Sequence, residues 1–120
     1  MTSASNSNKR ILLVDDEPEV CEQLHMLVES LHYEVASTTN PEEGLKMFGA
    51  SVYDAVLTDF TMPSINGGEL ARKIKELKPG TPVVMISGNV HDVPDKAIDA
   101  LIYKPPSRAE LKAVLDRLLP

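Results

Sequence analysis

Uninterrupted apolar runs alternate with helically spaced apolar stripes along this chain. Ile11-Leu12-Leu13-Val14 is the first run, and a strand without polar alternation is one buried on both faces. From about Pro18 to Ser30 the pattern changes: Val20, Leu24, Leu27, Val28 and Leu31 fall on one side of a helix. Tyr33 to Thr38 predicts a second strand, with Val35 and Ala36 at its centre. Asn40-Pro41-Glu42-Glu43 then predicts a helix start, with a capping residue, Pro at the first position and acids behind it. That helix runs to about Phe48. Gly44 inside it weakens a helix by about 1 kcal/mol relative to Ala, which predicts close packing against the sheet.

The same alternation continues. Ala55-Val56-Leu57 predicts a buried central strand ending in Thr58-Asp59, with a turn at Thr61-Met62-Pro63. After Asn66-Gly67-Gly68 a helix is expected from about Glu69 to Lys78, with Leu70, Ile74 and Leu77 as its buried stripe and Arg72 and the lysines largely on a solvated face. Pro82 to Ile86 predicts a fourth strand ending in Ser87-Gly88, and Leu101-Ile102-Tyr103 a short fifth one ending in Lys104-Pro105. Ser107 and Glu110 have the spacing of a capping box, ahead of a stripe of Leu111, Val114, Leu115 and Leu118. Buried-type strands alternating with helices predict an α/β fold, a five-stranded parallel sheet with helices on both faces.

Composition narrows the class. The chain has 120 residues, enough for one domain, with 42% hydrophobic and 25% charged residues. Its formal charge of −6 argues against direct binding to nucleic acid or an anionic membrane surface. No apolar run is long enough to insert in a bilayer. Met1 to Asn8 is rich in Ser and Asn and has no signal-peptide core, so a disordered tail over 1–8 and one domain over 9–120 are expected. The single Cys21 excludes an internal disulfide and fits a reducing cytoplasm. Cys21 lies beside the buried stripe and reads as a small inert thiol. With His25 four residues on, it offers two ligands and no third, a poor metal site. His25 is expected on the solvated face with Glu22 and Glu29.

Candidate chemistry gathers at the strand ends. In a parallel sheet all carboxyl ends lie along one edge, where open α/β sheets bind ligands. The first strand ends in the acidic run Asp15-Asp16-Glu17 and delivers Asp15 and Asp16 to that edge, the third Asp59, the fourth Ser87 and the fifth Lys104. A lone Asp after a strand often just caps a turn, and three successive acids also suit a helix start. They suit equally a hard cation such as Mg²⁺, which prefers carboxylate oxygen. Neither Asp15 nor Asp16 has a basic neighbour in sequence, so a metal is the expected source of neutralisation. Acids to hold a cation, an ammonium and a hydroxyl for phosphoryl oxygens, and one nucleophilic carboxylate form a complementary set.

From Lys9 to Leu119 the chain resembles the receiver domain of two-component response regulators. The resemblance rests on Ile11-Leu12-Leu13-Val14-Asp15-Asp16-Glu17-Pro18, on Asp59 with Met62, Pro63 and Gly67 at offsets three, four and eight, and on Ser87-Gly88 and Lys104-Pro105. It implies a flavodoxin-like, doubly wound sheet of order 2-1-3-4-5. It further implies that Asp59 is the phosphoacceptor, that Asp15, Asp16, Asp59 and the backbone carbonyl of Thr61 serve Mg²⁺ (or Mn²⁺), and that Ser87 and Lys104 contact the phosphoryl group. The implied donor is a histidine kinase or histidine phosphotransfer protein. The output partner is not implied. Such a protein is a switch that catalyses its own modification, with no turnover substrate.

Two departures from the family pattern stand out. Leu101 occupies the position, three before the lysine, where the family commonly carries an aromatic residue. Tyr103, two residues on and on the same strand face, is the candidate to take over part of that role; simple cover for the core is the competing reading. Ser87 to Ala100 leaves fourteen residues for the crossover, and Pro94 interrupts them. A short or irregular fourth helix is therefore expected there. Among rival functions, a flavodoxin-like phosphate binder conflicts with the acids after the first strand, which repel anions. An aspartyl phosphohydrolase needs a second acid two residues after a nucleophile on the first strand, which only Glu17 could supply. It also needs a cap or substrate-binding insertion, which is not seen in this sequence. The nearest rival is a receiver-like scaffold that binds partners without phosphorylation.

Overall fold

The computed structural model describes residues 9–89, 91 and 95–119. Its five strands are β1 (Arg10–Val14), β2 (Glu34–Thr38), β3 (Ala55–Asp59), β4 (Val83–Ser87) and β5 (Ala100–Tyr103). All neighbours pair in parallel, in the order β2-β1-β3-β4-β5. The expected fold class is thus present. Four helices accompany the strands among the described residues: α1 (Pro18–Glu29), α2 (Pro41–Ala50), α3 (Gly67–Leu77) and α4 (Arg108–Leu118).

Strand alternation divides the core in two. Ile11, Leu13, Leu57 and Ile102 pack with Leu24 and Val28 of α1 and Leu111 and Leu115 of α4. Leu12, Val14, Val56 and Val83 point the other way, to Phe48 of α2 and Leu70, Ala71 and Ile74 of α3. β3 and β4 are buried throughout and β1 is buried beyond Arg10, whereas β2 at the edge is half-buried over most of its length. Continuous apolar runs therefore mark the central strands, each shielded by a helix layer on either face.

Helix starts follow the local signals. Asn40 accepts the N–H groups of Glu42 and Glu43 at 2.9 and 3.2 Å, and Ser107 Oγ accepts that of Glu110 at 3.0 Å. Gly44 is needed for packing: a Cβ there would lie 2.9 Å from Val14 Cγ2. Cys21 is buried as expected.

Several expectations need correcting. Helix α3 begins at Gly67, not Glu69, because Asn66 and Glu69 form a reciprocal capping box that draws both glycines into the first turn. Leu77 is not in the buried stripe; at the end of α3 it is 60% exposed, and Ala71 takes the inner position. Lys75 and Arg72 are not merely solvated, since Lys75 pairs with Asp99 at 2.6 Å and Arg72 pairs closely with Asp95. His25 is only part-exposed, its Nδ1 2.8 Å from Ser37 Oγ on β2 and its Nε2 3.4 Å from Glu29. The expected short fourth helix falls in part on residues 90 and 92–94, outside the described residues, as does the 1–8 tail. Asp95–Asp99 is described and contains a turn but no helix.

Candidate functional site

Parallel pairing brings the carboxyl ends of β1, β3, β4 and β5 to one edge, and the charged residues there converge on one ammonium. Asp15 follows β1 directly and is fully buried. Its Oδ1 accepts the Glu17 N–H at 3.0 Å, and its Oδ2 lies 3.2 Å from Lys104 Nζ. Asp59 ends β3 with 7% of its surface exposed. Its Oδ1 accepts the Phe60 N–H at 2.8 Å and lies 3.3 Å from the same ammonium. Glu17 reaches in from solvent, with Oε1 3.7 Å from Lys104 Nζ.

The electrostatics follow from this burial. The Asp59 carboxyl is raised to about 6: removal from water pushes it up, Lys104 pulls against that rise, and the Asp15 charge adds to it. Burial works against the Lys104 ammonium, yet the Asp15 and Asp59 carboxylates outweigh it and leave its pKa raised. Lys104, 89 residues away in sequence, therefore supplies part of the neutralisation that a sequence-local search missed.

Three acids facing one ammonium leave the cluster short of positive charge. Carboxylate oxygens of Asp15, Glu17 and Asp59 lie within 4.8 Å of one another, and this is the group that could hold a metal ion among the described residues. An all-oxygen donor set of this kind suits a hard divalent cation. Asp16 is half-buried and lines the adjoining cleft without joining that tight group, and Thr61 lines the same cleft. The cleft has a volume of about 500 Å³ and is completed by Glu17, Asp59, Gly88, Asn89 and Lys104. A larger cleft of about 590 Å³ between α1 and the end of β2, lined by Cys21, His25 and Ser37 among others, brings no comparable charge cluster together.

Ser87 is buried at the end of β4, and its hydroxyl donates to the Asn89 carbonyl at 3.0 Å and accepts the Asn89 N–H at 3.1 Å. That turn sets Gly88 and Asn89 into the cleft wall. Ser87 pairs in register with Tyr103, whose side chain is 43% exposed, while Leu101 is half-buried. Beneath Asp59 the first turn of α3 presses on the strand end. The Gly67 N–H donates to the Phe60 carbonyl at 2.7 Å, and a Cβ on Gly67 would overlap the Asp59 carbonyl oxygen. Glycine at this position is a requirement of close approach. Glu17 belongs to the acidic run that suits a hard cation, but the family resemblance implies no role for it. Its signal was the unbroken acidic run, and what hid it was its position at the start of a helix.

Residues 11–116 match the family of response regulator receiver domains. The chain belongs to that family, whose members are the signalling domains of two-component systems. It is 31% identical over 119 residues to the autoinducer 1 sensor kinase/phosphatase LuxN of Vibrio harveyi, covering 96% of this chain. The match spans only 14% of the length of LuxN. In structure it is similar to the response regulator TrrA of Thermotoga maritima, solved in complex with Mg²⁺-BeF. The TM-score is 0.86 and the identity 36%, over 92% of this chain and 99% of TrrA. A structure of the histidine kinase ThkA in complex with TrrA gives a TM-score of 0.84 at 36% identity, over 93% and 99% of the two chains.

Proposed function

We propose that this chain is a phosphoacceptor switch in which Asp59 takes a phosphoryl group from a histidine of a kinase or phosphotransfer protein. The observation that carries this reading is Asp59 itself, a carboxylate on a cleft, 3.3 Å from Lys104 and grouped with two further acids. Its Oδ1 is tied to Phe60 N–H and Lys104, which leaves Oδ2 to attack phosphorus. A P–O bond forms at Asp59 as the P–N bond to the donor imidazole breaks, and the imidazole keeps the electron pair and takes up a proton. Lys104 neutralises charge on the phosphoryl oxygens. A Mg²⁺ ion held by Asp15, Asp16, Asp59 and the Thr61 carbonyl supplies further charge neutralisation when bound. Asp15 orients Lys104, and Ser87 at the end of β4 contacts the phosphoryl group together with Lys104. Mn²⁺ has the same oxygen preference and is expected to substitute.

The ThkA–TrrA complex and the kinase part of LuxN's name support a histidine kinase as donor. The acyl phosphate then alters binding to an output partner, in a cytoplasmic setting. Incubation with Mg²⁺ and acetyl phosphate, followed by intact mass, tests the reading. The wild type should gain one base-labile phosphoryl group, and Asp59→Asn none. Modification that persists in Asp59→Asn overturns the assignment. A wild type that stays unmodified leaves the phosphorylation-independent scaffold.

A further inference from the structure

We infer that Glu17 is a placeholder for the phosphoryl group: it occupies the cleft-facing side of Lys104 and must release it before Asp59 can be modified. This inference rests on the phosphoacceptor reading and names a residue that sets the rate of the step. An ammonium carries three N–H donors and no acceptor. In this structure three carboxylates surround Lys104 Nζ: Asp15 at 3.2 Å, Asp59 at 3.3 Å and Glu17 at 3.7 Å. Asp15 is hydrogen-bonded to the ammonium, whereas Glu17 at 3.7 Å is held by charge alone, so an arriving phosphoryl oxygen competes with Glu17 for the cleft-facing N–H of Lys104.

The three are not held equally. Asp15 has no exposed surface, and its other oxygen accepts the Glu17 N–H. Asp59 is fixed at the end of β3 by the Phe60 N–H. The Glu17 side chain is 63% exposed and makes the longest of the three contacts. It stands at the N-cap of α1 but makes no capping hydrogen bond, so the helix does not restrain it. It also lines the cleft by which a donor must enter. Glu17 is thus the carboxylate that can leave at least cost, and the one whose charge an anionic donor meets first. Glu17 acts through Lys104 and is a positioning residue.

Glu17→Gln keeps the side chain's size and removes its charge. Glu19→Gln serves as the control, an acid in the first turn of α1 with no contact to Lys104. Phosphorylation is followed by intact mass at saturating Mg²⁺, with acetyl phosphate (largely a dianion at neutral pH) and with phosphoramidate (largely a monoanion). Glu17→Gln should react about two- to fivefold faster with acetyl phosphate, the range for loss of one exposed ion pair. The gain should be smaller with phosphoramidate, and Glu19→Gln should follow the wild type. Beryllofluoride affinity, read from the NMR signals of Lys104 in the presence of Mg²⁺, should rise by a similar factor in Glu17→Gln alone. A Glu17→Gln protein that reacts no faster than Glu19→Gln, or equally faster with both donors, overturns the placeholder role. A wild type that neither reacts nor binds beryllofluoride defeats the phosphoacceptor reading instead, so the two failures are distinguishable.

Discussion

Two groups of opposite charges stand out in this molecule, and they differ mainly in how much water surrounds them. At the sheet edge Lys104 is shared by Asp15, Asp59 and Glu17, with Asp15 fully buried and Asp59 nearly so. Along the flank, α3 is tied to the segment after β4 by Arg72 with Asp95 and Lys75 with Asp99. The flank pairs are partly or mostly solvated, so their charges are already stabilised by water and pairing adds little. At the sheet edge, protein has replaced most of the water around Asp15 and Asp59, and these two carboxylates share one ammonium. The difference appears at Asp59, which burial pushes up to about 6. Asp95 moves down instead, chiefly through the Ala97 N–H and then through Arg72. The first group holds buried charge. The second holds a loop in place.

The largest expected effect comes from removing the shared cation. Lys104→Ala leaves Asp15 and Asp59 as buried carboxylates without their counter-charge. Taking away one partner of a buried pair costs about 3–5 kcal/mol. Urea denaturation at pH 7.5 in EDTA should show a loss of this order, and it should shrink on acidification as Asp59 accepts a proton. A loss below that of an exposed pair would mean that water reaches the cluster freely, and the contrast with the flank would collapse.

Asp59→Asn should act in the opposite direction. The carboxyl of Asp59 is raised in the folded protein to about 6, from an ordinary value of 3.8. A raised folded pKa means that its contribution is fully favourable below the unfolded value and is lost as pH rises through the folded one. At neutral pH without metal the ionised Asp59 therefore opposes folding. Roughly two units at about 1.4 kcal/mol each predict that Asp59→Asn gains on the order of 3 kcal/mol at pH 7.5. Lys104 keeps Asp15 and Glu17 as partners in that variant. Measured in EDTA from pH 7.5 down to 3.5, the gain should fall away through pH 6 and be absent below about 4. A gain independent of pH would show that its source is not the Asp59 charge.

The same contrast explains what could be read from the chain alone. Strand ends share an edge in any parallel sheet, so the sequence alone groups Asp15, Asp16, Asp59, Ser87 and Lys104. The apolar runs of β1, β3 and β4 were equally plain, because burial on both faces leaves no polar alternation. Other features depend on a partner distant in sequence. The pairing of Asp15 with Lys104 spans 89 residues, and no local pattern announces it. Gly67 and Gly68 look like helix breakers by propensity. They belong to α3 because the end of β3 approaches Gly67 and Asp95 lies 3.1 Å from where a Cβ of Gly68 would be. Leu77 obeys the helical period of its stripe, yet period says which way a side chain points, not whether anything covers it. The pairing of Lys75 with Asp99 was hidden for the same reason: its carboxylate arrives from the connection between β4 and β5.

That flank pair gives the smallest expected effect and the sharpest control. Lys75 Nζ lies 2.6 Å from Asp99 Oδ2, with side-chain exposures of 25% and 34%. Asp99 has a second duty, since the same oxygen accepts the Val83 N–H at the start of β4 at 2.8 Å. Lys75→Ala removes the ammonium but leaves that hydrogen bond, so its cost should stay below about 1 kcal/mol, as for a partly solvated pair. Raising salt from 0.05 to about 0.5 M shortens the screening length below 10 Å and should erase most of the loss. Asp99→Ala should cost more than Lys75→Ala and should keep most of its cost at high salt, because the Val83 N–H loses its carboxylate acceptor. A double-mutant cycle between the two positions, in urea at both salt concentrations, isolates the pair itself. A coupling as large and as salt-resistant as that between Lys104 and Asp15 would mean that burial does not separate the two groups.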